Sequence, residues 1–376
     1  MSEDGVAASR EITLFLCGDV MTGRGIDQVL PHPGDPDLYE PYVKSALRYV
    51  ELAEKANGPI PKPVAPAYIW GDALAELERV RPDARIVNLE TSITESTEWQ
   101  PKGINYRMHP GNIGCLTAAG IDCCALANNH VLDWGYGGLA DTLDGLHRAG
   151  IGTAGAGRNR AEASRPAIID LGAKGRVLVY AFGVATSGIP PQWAASEDGP
   201  GVDLLPDLSP RTAAAVARRV GAARRPADVV VASIHWGENW GYEIPRAQSQ
   251  FARRLIDEAG ADIVHGHSSH HPKAIEVYKG RPILYGCGDF LNDYEGIAGY
   301  EAFRDDLVLM YFATIDPASG SLRRLAMTPL QIRNFRLNRP GPDDVRWLHA
   351  AMSREAERFG GRLQLADDGR FALERA

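Results

Sequence analysis

The chain has little cysteine. Its five residues, Cys17, Cys115, Cys123, Cys124 and Cys287, are odd in number among 376. No C-x-x-C occurs, so neither a zinc ribbon nor a disulfide framework is expected. Cys17, Cys123 and Cys124 lie in apolar, strand-like runs and read as buried small hydrophobes. A basic excess is also missing. Forty Lys+Arg stand against 48 Asp+Glu, a net charge of −8. A general nucleic-acid binder needs a basic face, so that class is set aside. No apolar run approaches the ~18 residues of a membrane span. Residues 1–10 carry Glu3 and Asp4 and lack the basic and apolar regions of a signal peptide. A cytoplasmic protein without a membrane partner is therefore expected. There is no repeat, no P-loop, no G-x-G-x-x-G and no G-x-S-x-G elbow, so phosphate-cradle and serine-nucleophile readings find no support.

What is present is ordinary globular composition, 44% hydrophobic and 23% charged, with enough apolar material for a large core. Short β-branched runs at 12–17, 85–89, 121–127, 176–183, 228–234 and 262–264 read as strands. Amphipathic stretches at 41–56, 73–79, 139–149, 210–223 and 247–259 read as helices between them. The pattern predicts an α/β fold, a sheet sandwich flanked by helices. Runs at 274–278, 282–285, 307–315 and 322–327, joined by short turns, predict an antiparallel half. A helix is expected at 344–359. The organisation expected is a flexible N-terminus (1–10), a metallo-enzyme domain (11–335), and a C-terminal helix and tail packed on it (336–376). The long Pro/Gly-rich loop 186–207 is a candidate functional loop.

Polar residues collect just after the strands, where sites form in α/β sheets. Asp19 ends an apolar run, a poor place for an unpaired carboxylate, and a metal or basic partner would satisfy it. Asn88 and Glu90 share one side of an extended segment. Asn128-Asn129-His130 with Asp133 fits a ligand plus an oriented acid/base, the aspartate fixing the imidazole tautomer and raising its pKa. His235 ends another buried run. His265, His267, His270 and His271 fall within seven residues, a density that can converge on a metal. Asp289 follows at Gly288-Asp289-Phe290.

Together these motifs resemble the CapA family of poly-γ-glutamate capsule biosynthesis proteins, a branch of the calcineurin-like metallophosphoesterases. The resemblance spans about 14–327. It rests on Gly18-Asp19-x-Met21 with Arg24, Asn88-x-Glu90, Asn128-Asn129-His130, His235-Trp236-Gly237, 260–264, 275–278 and Gly288-Asp289-Phe290. It implies a four-layer αββα sandwich of two mixed sheets. It also implies metals held by Asp19, Glu90, Asn129, His235 and the histidines of the last motif, with His130 as the acid. The family's last motif usually reads Gly-x-His-Pro-His. Alignment through 275–278 puts Ser268 and His270 at those histidines, so one nitrogen ligand is expected to be missing, although His267 is adjacent. Hard, oxygen-preferring cations then fit best, Ca²⁺ first and Mn²⁺ or Mg²⁺ next.

The altered motif leads to the expectation of an isomerase. The chain looks similar to the CapA-like peptide epimerases of lasso-peptide biosynthesis, whose partner is a ribosomal precursor peptide. Inversion at a Cα needs a base on one face and an acid on the other. The carriers expected are His130 with Asp133, His235, and His267 or His270, with Asp19 and Asp289 as carboxylate partners. Trp134, Trp236 and Trp240 are expected to wall the peptide side chain, with Arg24 and Asn88 on the substrate side. The alternatives are a metallophosphoesterase, with Asp19, Glu90, Asn129, His235 and His270 on metal, and a poly-γ-glutamate-related assembly factor.

Overall fold

A computed structural model describes residues 11–374. The 1–10 segment of the expected organisation lies outside the described residues. Two mixed sheets stack face to face and helices cover their outer sides, the four layers expected. The first sheet is ten-stranded. Its parallel centre is Ile12–Val20, Ala84–Leu89, Cys123–Ala125 and Gly152–Ala154. On the other side of Ile12–Val20 run Leu307–Asp316 and Ser321–Arg333, antiparallel. The second sheet is built on Arg176–Val184, Val229–His235, Ile263–His267 and Arg281–Leu284, all parallel.

Period-two alternation sorts the second sheet's side chains into two layers. Val177, Val179, Val229, Val231 and Ile263 face the first sheet and join its core. Leu178, Tyr180, Val230, Ala232 and Val264 face outward, against Val216 and Val220 of helix Pro210–Ala223 and Phe251 and Leu255 of helix Arg246–Asp257. Ser233, His235, His265 and His267 continue the inward parity. Sheet register alone therefore aims His235 and His267 between the layers, where they are partners on neighbouring strands.

Two expectations change. The half after 273 is not antiparallel throughout, because Arg281–Leu284 runs parallel to Ile263–His267 and Asp289–Leu291 parallel to Ile12–Val20. The hairpin Ile275–Tyr278 with Arg281–Leu284 and the long pair 307–333 are antiparallel, as expected. Loop 186–207 is less irregular than expected, holding Gly201–Val202 and Leu204–Leu205 in short ladders. Beyond 335, Arg336–Asn338 and the hairpin Leu363–Leu365/Phe371–Leu373 add strands to the first sheet, around helix Pro342–Glu357. No helix among the described residues is long and apolar enough to cross a membrane. All five cysteines are free and buried.

Candidate metal centre

The carboxyl ends of strands from both sheets meet at one place. Asp19 lies beside Asn88 on one neighbouring strand and Asp289 on the other. That crossing demands glycine at 18. A Cβ there would lie 1.7 Å from the Gly288 carbonyl oxygen. From the second sheet come His235 and His267, Nδ1 to Nδ1 2.8 Å apart. Asp19, His235 and His267 bring ligand atoms within 4.8 Å of one another, and so do Asp19, His270 and Asp289. Asp19 thus belongs to two ligand groups at once. Glu90 adds a third carboxylate, its Oε1 3.8 Å from both His130 Nε2 and His235 Nε2. Asn129 Oδ1 is 2.9 Å from His235 Nε2.

The donor set passes a chemical test for cations. Asp19, Glu90 and Asp289 are buried together, and their only ion-pair partners among the described residues are histidines. Burial and then Asp289 push the Asp19 carboxyl up. Burial and then Asp19 push Glu90 up. Burial drives His235 and His267 well down, so both imidazoles are neutral, the form that binds metal. Clustered buried carboxylates with neutral imidazoles, and no Lys or Arg among the described residues ion-paired to those carboxylates, are the composition of a cation site.

Two expectations are corrected here, for His130 and for the tryptophans. His267, expected beside the altered position 268, ends its strand with a ring nitrogen grouped with Asp19 and His235. Ser268 turns the chain with φ of 99°, donating its N–H to Asp19 Oδ2 at 3.2 Å. His130 does not have a raised pKa. Burial outweighs Asp133 and brings it down to about 4. The Asp133 carboxylate accepts from Nδ1 at 2.6 Å, which leaves Nε2 towards Glu90. The tryptophan wall does not form as expected. Trp134 and Trp236 are core residues whose indole N–H groups donate to the Tyr106 and Tyr285 carbonyls. Trp240 alone stays at the surface, stacked on Tyr300 with centroids 3.9 Å apart.

The other residues singled out have distinct places. Asn88 is fully buried and donates to Asp19 Oδ1 at 2.7 Å, so it orients carboxylates rather than substrate. Arg24 is buried between Glu40 and Asp293, its guanidinium 3.9 Å from the Tyr49 ring centre. His270 Nδ1 meets Asp289 Oδ1 at 2.8 Å; burial lowers the imidazole pKa, but Asp289 together with Asp19 and Asp305 outweighs it and raises it. His265 is taken up by Ser233 and the Cys17 carbonyl, and His271 packs on Phe303 and Trp240.

Sequence reasoning missed Lys102, which contacts Asp133, His130 and the Asn129 carbonyl. It sits in an irregular loop with no periodicity to flag it. Asn292, whose side chain donates to Asp289 Oδ2 at 2.8 Å, and Asp293 were within reach, three and four residues beyond Asp289. Asp305 was also missed. Burial, with Asp289 and Asp306 nearby, pushes its carboxyl up to about 7.

The bacterial capsule synthesis protein PGA_cap family matches residues 13–294. The chain belongs to this family. Among PGA_cap relatives, a probable polyglutamine synthesis accessory protein of Mycobacterium tuberculosis is 50% identical over 95% of this chain and 94% of its own length. The PGA biosynthesis protein CapA of Bacillus subtilis is 26% identical over 88% of this chain and 73% of its own. A solved phosphatase from Mycoplasma pneumoniae is similar at TM-score 0.47 and 10% identity, over 89% of this chain and 96% of that one.

Proposed function

We propose that this PGA_cap protein is a hydrolase that binds two divalent cations, with phosphoesters as its first substrate class. The observation that carries this reading is the sharing of Asp19 between the His235/His267 group and the His270/Asp289 group. One carboxylate common to two ligand groups is what a pair of adjacent cations requires. The mixed imidazole–carboxylate set favours Mn²⁺ over Ca²⁺, which prefers all-oxygen shells. Bound cations would supply Lewis-acid charge and activate water for in-line displacement. Asn88 and Ser268 hold the two Asp19 oxygens in place. His130, with Nδ1–H given to Asp133, presents Nε2 to take or pass a proton. Relatives named for PGA and polyglutamine synthesis support a role in handling such a polymer or its precursors.

A second reading, epimerisation at a peptide Cα, is favoured by one observation. Two histidine–carboxylate pairs, His130–Asp133 and His270–Asp289, flank the same centre. That is the equipment of two-base proton transfer. The lasso-precursor substrate belongs to this second reading. One pair of assays separates them. Mn²⁺-loaded protein is expected to hydrolyse bis-aryl phosphates, and chelator is expected to stop it. No turnover across a phosphoester panel, together with metal-dependent deuterium uptake at one peptide Cα in deuterium oxide, would sink the hydrolase reading and promote the epimerase.

A further inference from the structure

Two cavities of about 200 Å³ each open beside the metal centre. The first touches His270 and is walled by Tyr42, Tyr49, Trp240, Tyr294 and Tyr300. The second runs on past Glu295, Asn57 and Gln331. Tyr294, Ile297 and Asp305 line both, so the two form one groove leading away from His270.

The charges in this groove are uneven. Arg24 lines the first cavity, but Glu40 and Asp293 neutralise it. Asp306 lines the second and is held by Arg304 and Gln331. Glu295 receives the Asn334 and Phe335 amides and stands near Arg333. Asp305 is different. It lies where the cavities join, no other described residue hydrogen-bonds its carboxylate, and the His270 imidazole acts on it only through space. Tyr294 and the Trp240–Tyr300 stack share the first cavity with it. Aromatic faces and a carboxylate around one space attract a cation, and each alone does so less well.

We propose that this groove binds a substrate bearing a cationic amino group, seated between Asp305 and the Trp240–Tyr300 stack, and that it disfavours a polyanionic chain. The inference rests on the hydrolase reading only for placing the reacting bond near His270. Within that reading the groove selects amine-bearing compounds, a precursor rather than the finished poly-carboxylate polymer.

The test is titration calorimetry of the full, Mn²⁺-loaded chain with three capped probes, N-acetyl-lysine, N-acetyl-norleucine and N-acetyl-glutamate methylamides. The lysine probe is expected to bind about tenfold tighter than norleucine, with glutamate weakest. Asp305→Asn should erase the lysine–norleucine difference and leave norleucine affinity within about twofold. Tyr300→Leu, on the exposed rim, should weaken lysine about threefold, and it stands in if D305N does not fold. Glutamate binding as tightly as lysine, no probe binding, or a lysine preference that survives D305N would each overturn the proposal. Metal content is counted on the same samples. Two cations bound without lysine preference sinks the groove alone, and lysine preference without cation binding sinks the hydrolase reading alone.

Discussion

At the scale of the residue, the centre is a cluster of buried carboxylates that repel one another without a ligand. Asp19 is fully buried beside Glu90 and Asp289. Removing its charge should therefore act in opposite directions with and without metal. In chelator, Asp19→Asn is expected to raise the melting temperature, because it relieves desolvation and like-charge repulsion. With Mn²⁺ it should weaken both cations by about 100-fold or more, read by calorimetry. A variant less stable without metal would overturn the repulsion argument, and one that loses a single cation would show that Asp19 is not shared. His267→Ala is expected to remove one cation and keep the other. Asp19 and His235 stood out in the sequence because each ends an apolar run, Glu90 because it shares a side with Asn88, His130 because an amide and Asp133 flank it, and His270 because four histidines fall within seven residues. Lys102 and Asp305 did not, because a loop residue's partners depend on where distant strands end.

At the scale of the element, one close approach positions the site and one buried carboxylate ties elements together. Close approach of Ile12–Val20 to the turn before Asp289–Leu291 leaves no room for a side chain at 18. Gly18→Ala is expected to cost about 3 kcal/mol, an overpacking penalty at its upper range, and to impair metal binding through Asp289; urea unfolding and calorimetry measure the two. The second feature is Glu76, on helix Asp72–Val80. Its buried carboxylate accepts from Arg79, Arg339, Arg370 and Thr328, tying the helix to the first sheet and the C-terminal hairpin. Burial pushes its pKa up, but the bonds from Arg370, Arg79 and Thr328 outweigh it and hold the carboxyl well below the usual range. A folded pKa below the unfolded one gives stability that is present above about 4.3 and lost as pH falls further. Glu76→Gln should cost about 2 kcal/mol at pH 7, and the gap to wild type should shrink below pH 4. A gap independent of pH would mean the carboxylate charge contributes nothing. Strands and helices were legible from periodicity, and helix 210–223 was read to the residue. Strand direction after 273 was not, because short apolar runs look alike in parallel and antiparallel ladders.

At the scale of the whole molecule, the site joins two sheets, so what binds there should stabilise the chain as a unit. Mn²⁺ at 100 times its dissociation constant is expected to add about 2.7 kcal/mol per independent site. That appears as a melting-temperature rise of several degrees, reversed by chelator and abolished in D19N. An unchanged melting temperature would remove the bridging cations from the account.

The sequence by itself determined the layered α/β architecture, the strand-end motifs and the family, since each depends on local periodicity and on residue types at fixed spacing. Only the tertiary structure decided that His267 lies against Asp19 and His235, that Trp134 and Trp236 are core, and that Asp305 faces an aromatic groove. Those facts depend on which strands lie side by side and in what register, and register is set by the packing of two sheets against each other rather than by any single segment.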